Sequence, residues 1–167
     1  ISTVDGDISI TAIAGDGTFP SNHGINLQFG PRIISTGTGP NAGNVTINGT
    51  AGLGTGGALG VQLIDLGTEV SVVDGDLTIN GTGGAGSGPY NEGVGVFSAA
   101  VRSTGTGASA GKITINGTGN GAASGTESNG VSVRSTGSLV TTVDGAISIT
   151  GTGGTGASTF GIHLGYT

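Results

Sequence analysis

Five positions, each one residue after a glycine, recur along this chain: Asp7, Asn44, Asp76, Lys112 and Ala146, spaced 37, 32, 36 and 34 residues apart. Two of them belong to paired acids, Asp5-Gly6-Asp7 and Asp74-Gly75-Asp76. Hard cations take several oxygen ligands, so Asp5, Asp7, Asp74 and Asp76 are the candidate calcium ligands. Against a cation, the two pairs lie two repeats apart, roughly 10 Å at strand spacing. The Gly-Gly-x-Gly-x-Asp-x pattern of calcium-binding β-rolls is also missing. Asp-Gly is in addition an ordinary turn sequence, and no cofactor is expected. Hydrolysis of a polysaccharide would need clustered carboxylates, but this rank is mixed in charge and ends in Ala146. His23 and His163 lie near opposite ends, and no Ser/His/Asp set is visible. The expectation is a protein that is not an enzyme.

Other polar positions recur with the same period. Asn44-Val45-Thr46, Asn48-Gly49-Thr50, Asn80-Gly81-Thr82 and Asn116-Gly117-Thr118 are Asn-x-Thr sequons, so Asn44, Asn48, Asn80 and Asn116 are candidate glycosylation sites. Thr46, Thr78 and Thr114, with Ser9 and Ser148, are expected to form one outward rank. Asn48, Asn80 and Asn116, with Thr11 and Thr150, form the next. Such a hydroxyl and amide ladder favours β structure. Flat ranks of Thr on a solenoid also suit ice binding, although Asn and Ser interrupt these. Tyr90, Phe97, Phe160 and Tyr166 do not form a rank for stacking on sugars.

The elements that position these residues are repeats. Residues 6–12, 43–50, 75–82, 111–118 and 145–152 each read Gly, a variable residue, apolar, Ser/Thr, apolar, Thr/Asn. A second landmark, Gly followed by alternating apolar residues, begins at Gly24, Gly60, Gly93, Gly130 and Gly161. Its spacings of 36, 33, 37 and 31 give the same period, about 34. Within a unit the apolar residues alternate with polar ones, the period of a half-buried strand. A third strand is suggested by Ile33-Ile34, Val70-Ser71-Val72, Ala100-Val101 and Leu139-Val140. No ten-residue stretch has helical periodicity.

One unit cannot fold alone. It holds about five or six inward apolar side chains, each worth ~1.5–3 kcal/mol when buried. Ordering the unit's backbone costs on the order of 1–2 kcal/mol per residue. The deficit closes when units stack and each strand pairs with its equivalents above and below. The expected fold is therefore all-β: a right-handed parallel β-helix (β-solenoid) forming a single domain over 1–167, with three strands per coil and about five coils of ~34 residues. Units alternate in type. Odd units enter through Val-Asp-Gly (Val4, Val73, Val143) and even units through Ser-Thr-Gly-Thr-Gly (from Ser35 and Ser103), a double repeat of about 69 residues. The glycine before each strand is expected at a corner with positive φ. Lys112, stacked near Asp76, is expected to neutralise its charge.

Repeats of the form Val-Asp-Gly-Asp-Ile-Ser-Ile-Thr, Gly-rich loop, Gly-Ile-x-Leu and Ser-Thr-Gly-Thr-Gly resemble those of large bacterial surface and secreted proteins. The filamentous-haemagglutinin-like adhesins and related β-helix exoproteins are the best-known group. The resemblance covers the whole chain. It implies a right-handed β-helix, an extracellular or cell-surface location and a structural or adhesive role.

Composition narrows the classes further. The chain carries 39 Gly among 167 residues, a net charge of −6, and no Cys or Met. With four scattered cations it lacks the basic patch that nucleic-acid binding needs. No apolar run is long enough to span a membrane, and disulfides are excluded. There is no initiator Met and no signal-peptide pattern, so a mature product or a segment of something longer is expected. The leading expectation is a structural solenoid forming a fibre, sheath or adhesin stalk by coil stacking, with head-to-tail self-association. The second is an adhesin module that binds surface glycans through the least repetitive loops, 83–92 and 119–129.

Overall fold

In the computed structural model, residues 1–17, 19–122 and 126–165 are described. The chain starts on β1 (Ser2–Thr3) and then winds through four triplets of strands and a final pair. The first is β2 (Ile8–Ile13), β3 (Ile25–Leu27) and β4 (Arg32–Ser35), followed by β5 (Val45–Thr50), β6 (Val61–Ile64) and β7 (Glu69–Val72). Next come β8 (Leu77–Thr82), β9 (Val94–Phe97) and β10 (Ala100–Ser103), then β11 (Ile113–Thr118), β12 (Val131–Arg134) and β13 (Leu139–Thr142). The last two are β14 (Ile147–Thr152) and β15 (Ile162–Gly165). The described residues contain no α-helix, only a short 3-10 turn at Gly107–Ser109. No helix among them is long and apolar enough to cross a membrane.

Three parallel five-stranded sheets result, ordered β1-β4-β7-β10-β13, β2-β5-β8-β11-β14 and β3-β6-β9-β12-β15. Every strand pairs with its equivalent one coil away, so this is a β-solenoid of five coils. The inward positions stack in unbroken columns: Ile8-Val45-Leu77-Ile113 and Ile10-Ile47-Ile79-Ile115 on one sheet, Val61-Val94-Val131 on another. In the middle coils these side chains are fully buried. β-Branched residues fit this pleated, narrow interior, which explains how so little aromatic mass suffices.

The corner glycines correct one expectation. Gly6, Gly43, Gly75, Gly111 and Gly145 are not among the glycines with positive φ. Their requirement is close approach. A Cβ at Gly43, Gly75, Gly111 or Gly145 would sit 2.0 Å from the carbonyl oxygen of the corner glycine one coil earlier. The corners therefore nest backbone on backbone, and any side chain would push adjacent coils apart.

Gly75→Ala should accordingly destabilise the chain by more than about 3 kcal/mol, the scale of overpacking plus lost pairing. Gly15→Ala, whose Cβ meets nothing within 4 Å, should change stability by less than about 0.5 kcal/mol. Urea denaturation followed by circular dichroism measures both.

Candidate functional site

The recurring polar positions form ladders along the stacking axis. Asp7 Oδ1 accepts from the Asn44 backbone N–H (2.8 Å), Asn44 Oδ1 from Asp76 N–H (2.8 Å), and Asp76 Oδ1 from Lys112 N–H (3.0 Å). Each side chain thus holds the equivalent residue of the next coil by its backbone. Lys112 meets Asp76 through this amide, and no ion pair joins their side chains among the described residues. The charge-neutralising role expected of Lys112 is corrected accordingly: what Asp76 supplies is an acceptor.

A second ladder accounts for the alternation of unit types. Asp74 Oδ2 accepts from Gly39 N–H (2.6 Å), and Asp144 Oδ2 from Gly107 N–H (2.8 Å). Gly39 and Gly107 take left-handed φ values of 78° and 75°. Asp74 and Asp144, the Asp residues of two odd units, thus each close the glycine loop of the even unit before them. Of the calcium candidates, Asp7, Asp74 and Asp76 spend an oxygen on these bonds. Among the described residues no group of three or more His, Asp or Glu side chains converges on a common point.

On the face of β2-β5-β8-β11-β14, the register stacks Thr46, Thr78 and Thr114 in one rank and Asn48, Asn80 and Asn116 in the next. The Asn amides are linked in series: Asn116 Nδ2 donates to Asn80 Oδ1 (2.9 Å), Asn80 Nδ2 to Asn48 Oδ1 (2.8 Å), and Asn48 Nδ2 to Thr11 Oγ1 (3.4 Å). Asn44 Nδ2 donates to Asp7 Oδ1 (3.2 Å). The amide nitrogens of all four sequon asparagines are thus engaged in the folded chain.

The face of β3-β6-β9-β12-β15 differs. Its central outward rank runs Asn26, Gln62, Gly95, Ser132, His163. A Cβ at Gly95 would lie 2.5 Å from the Phe97 ring, so the missing side chain lets that ring fold back over the sheet. Arg134, paired with Phe97 in the register, stacks its guanidinium 5.0 Å from the Phe97 ring centroid and 5.3 Å from that of Tyr90. It also forms ion pairs with Glu92 (3.2 Å) and Glu127 (2.8 Å). Tyr90, Glu92, Phe97 and Arg134 border a groove of about 560 Å³ that continues over Asn26, Gln28, Gln62 and His23. A shallower groove of about 350 Å³ adjoins it across Tyr90, Phe97 and Arg134.

Glu92 is the unusual member. It is 0% exposed, and its Oε1 takes three donors: Ser132 Oγ (2.7 Å), Asn129 Nδ2 (3.0 Å) and the Arg134 guanidinium (3.2 Å). Its Oε2 is buried with no hydrogen-bond partner. Burial pushes the carboxyl above its ordinary range, against the opposing pull of Arg134, Ser132 and Asn129. Burial likewise holds His23 below the usual imidazole range, and its Nδ1 accepts from Leu59 N–H (3.1 Å).

None of Glu92, Glu127 and Arg134 stood out as a functional residue in the sequence. The signal was there as a departure from the repeat. The position before the second landmark glycine reads His23, Leu59, Glu92, Asn129, Phe160, with a single acid among them. Tyr90 and Phe97, which form no rank, meet instead around Arg134. Phe160 lies apart, its ring 5.3 Å from that of His163, and Tyr166 is outside the described residues. So are 123–125 of the loop 119–129. No family model matches the chain, and no curated protein or solved structure matches it either.

Breaking a buried ion pair on one side leaves an uncompensated charge and costs on the order of 3–5 kcal/mol. Arg134→Gln should show that loss near pH 8. The folded-state pKa of Glu92 already lies above its unfolded value, and losing the cation raises it further. The folded form then binds the extra proton as pH falls, so the deficit should shrink toward pH 5. Urea melts at the two pH values check the sign.

Proposed function

We propose that this chain is a structural rod element, one stretch of a fibre, sheath or adhesin stalk on the outside of a cell, whose task is met by stacking coils. The observation that carries the reading is the unbroken parallel stacking of the three sheets, coil on coil. Interior coils bury Ile113, Ile115 and Val131 completely, whereas the equivalent Ile147 and Ile162 of the last coil are 43% and 40% exposed, and Leu164 is 65% exposed. An apolar hollow of about 400 Å³, lined by Leu139, Ile147, Ile149 and Leu164 among others, opens there. The edges of β13, β14 and β15 flank it in the register that the other coils use.

A further coil, from the same chain or a second copy, would fill that hollow and complete the ladders. Exposed parallel edges template such pairing. The alternation adds a preference, since among the described residues Asp5 accepts no hydrogen bond of the kind that Asp74 and Asp144 accept. A coil set beneath it would satisfy it with an even-type glycine loop. The resemblance of the repeats to those of bacterial surface proteins supports the extracellular setting.

If the edges associate, the isolated chain should form thin filaments in electron micrographs, with a spacing near 4.8 Å along the axis. The double variant Ile149→Lys/Leu164→Lys should remain monomeric in sedimentation. A parent chain that stays a monodisperse monomer at tens of micromolar would contradict head-to-tail stacking.

A further inference from the structure

We infer that the groove on the β3-β6-β9-β12 face is a binding site for a neutral oligosaccharide, with the Glu92 carboxylate at its floor as the hydrogen-bond acceptor. Four features define the ligand class. First, Oε2 of Glu92 is fully buried and without a donor from the protein, although Glu92 borders the groove. A buried acceptor left open is costly, and a ligand hydroxyl would satisfy it.

Second, the charge balance disfavours ions. The groove's one guanidinium is already shared between Glu92 and Glu127, leaving no free cation to attract an anion. Third, the sides combine aromatic rings, Tyr90 and Phe97, with amides, Asn26 and Gln62. Among the described residues the Gln62 amide has no hydrogen-bond partner, and it borders the groove. Rings that accept the C–H faces of a sugar, beside amides that exchange hydrogen bonds with its hydroxyls, suit a polyhydroxylated ligand. Fourth, the groove's volume of about 560 Å³ lies within the range of small-molecule sites, and its open form admits a chain that extends beyond it.

A ligand hydroxyl would approach Oε2 from the groove that Glu92 lines. Glycan recognition was expected in the loops 83–92 and 119–129. Here those loops contribute only Tyr90 and Glu92 to the groove, and strand residues Asn26, Gln62, Phe97 and Arg134, with segments beside β3 and before β6, supply the rest.

The inference does not depend on coil stacking, and the monomeric edge variant serves to test it alone. Affinity electrophoresis and calorimetry with cello-, xylo-, manno- and maltohexaose, and with the anionic hexagalacturonate, read binding directly. At least one neutral hexaose should bind. Glu92→Gln, which keeps the shape and halves the acceptor capacity, should weaken that binding at least tenfold. Gln62→Ala, at the half-exposed rim, should weaken it several-fold with an unchanged melting temperature. Thr114→Ala, on the opposite sheet, should leave it unaltered. The assignment is overturned if the folded protein binds none of the neutral probes, if it prefers hexagalacturonate, or if Glu92→Gln and Gln62→Ala both bind as the parent does.

Discussion

Everything in this molecule depends on the parallel pairing of each strand with its equivalent one coil away. In a β-helix that pairing is the long-range contact, the source of the core columns and the rule that fixes the side-chain faces, all at once. A slip of one residue would turn every inward Ile or Val to solvent. The corner glycines guard the spacing, because a carbonyl of the previous coil occupies the place of a Cβ. Their absent side chains are thus a condition of the register, with no need for a left-handed backbone.

The side-chain ladders add direction to this pairing. Asp7, Asn44 and Asp76 each pass a carbonyl or carboxylate oxygen to the backbone of the following coil. Asp74 and Asp144 each reach back to a glycine loop of the preceding one. One set fixes equivalent residues to each other. The other makes unlike coils alternate. Residues that resembled a metal site or a charge pair on paper are therefore bound into the scaffold, and the features that suit a ligand lie on a different face.

The fold was legible because its determinants repeat. The period-2 apolar residues, the two glycine landmarks and the third strand recur often enough to define coil, strand count and stacking from the chain alone. The reason for the corner glycines was not legible, because a clash with a carbonyl one coil away concerns residues more than thirty positions apart. The groove was hidden for the opposite reason. Glu92, Tyr90, Phe97 and Arg134 each occur once, and only the stacking of β9 on β12 brings Phe97 beside Arg134. Gly95 resembled any other strand residue until the Phe97 ring was seen to need its space. On this scaffold the groove lies where the repeat is broken.

Native-state hydrogen exchange tests the central claim most directly, because it measures coil-to-coil pairing strand by strand. If stacking in one register holds the molecule together, amides of β5, β8 and β11, paired on both sides, should exchange slowest and together. Those of β14 and β15, paired on one side only, should exchange markedly faster in the monomeric edge variant. Equal protection in the last coil and the middle coils of that monomer would contradict the account.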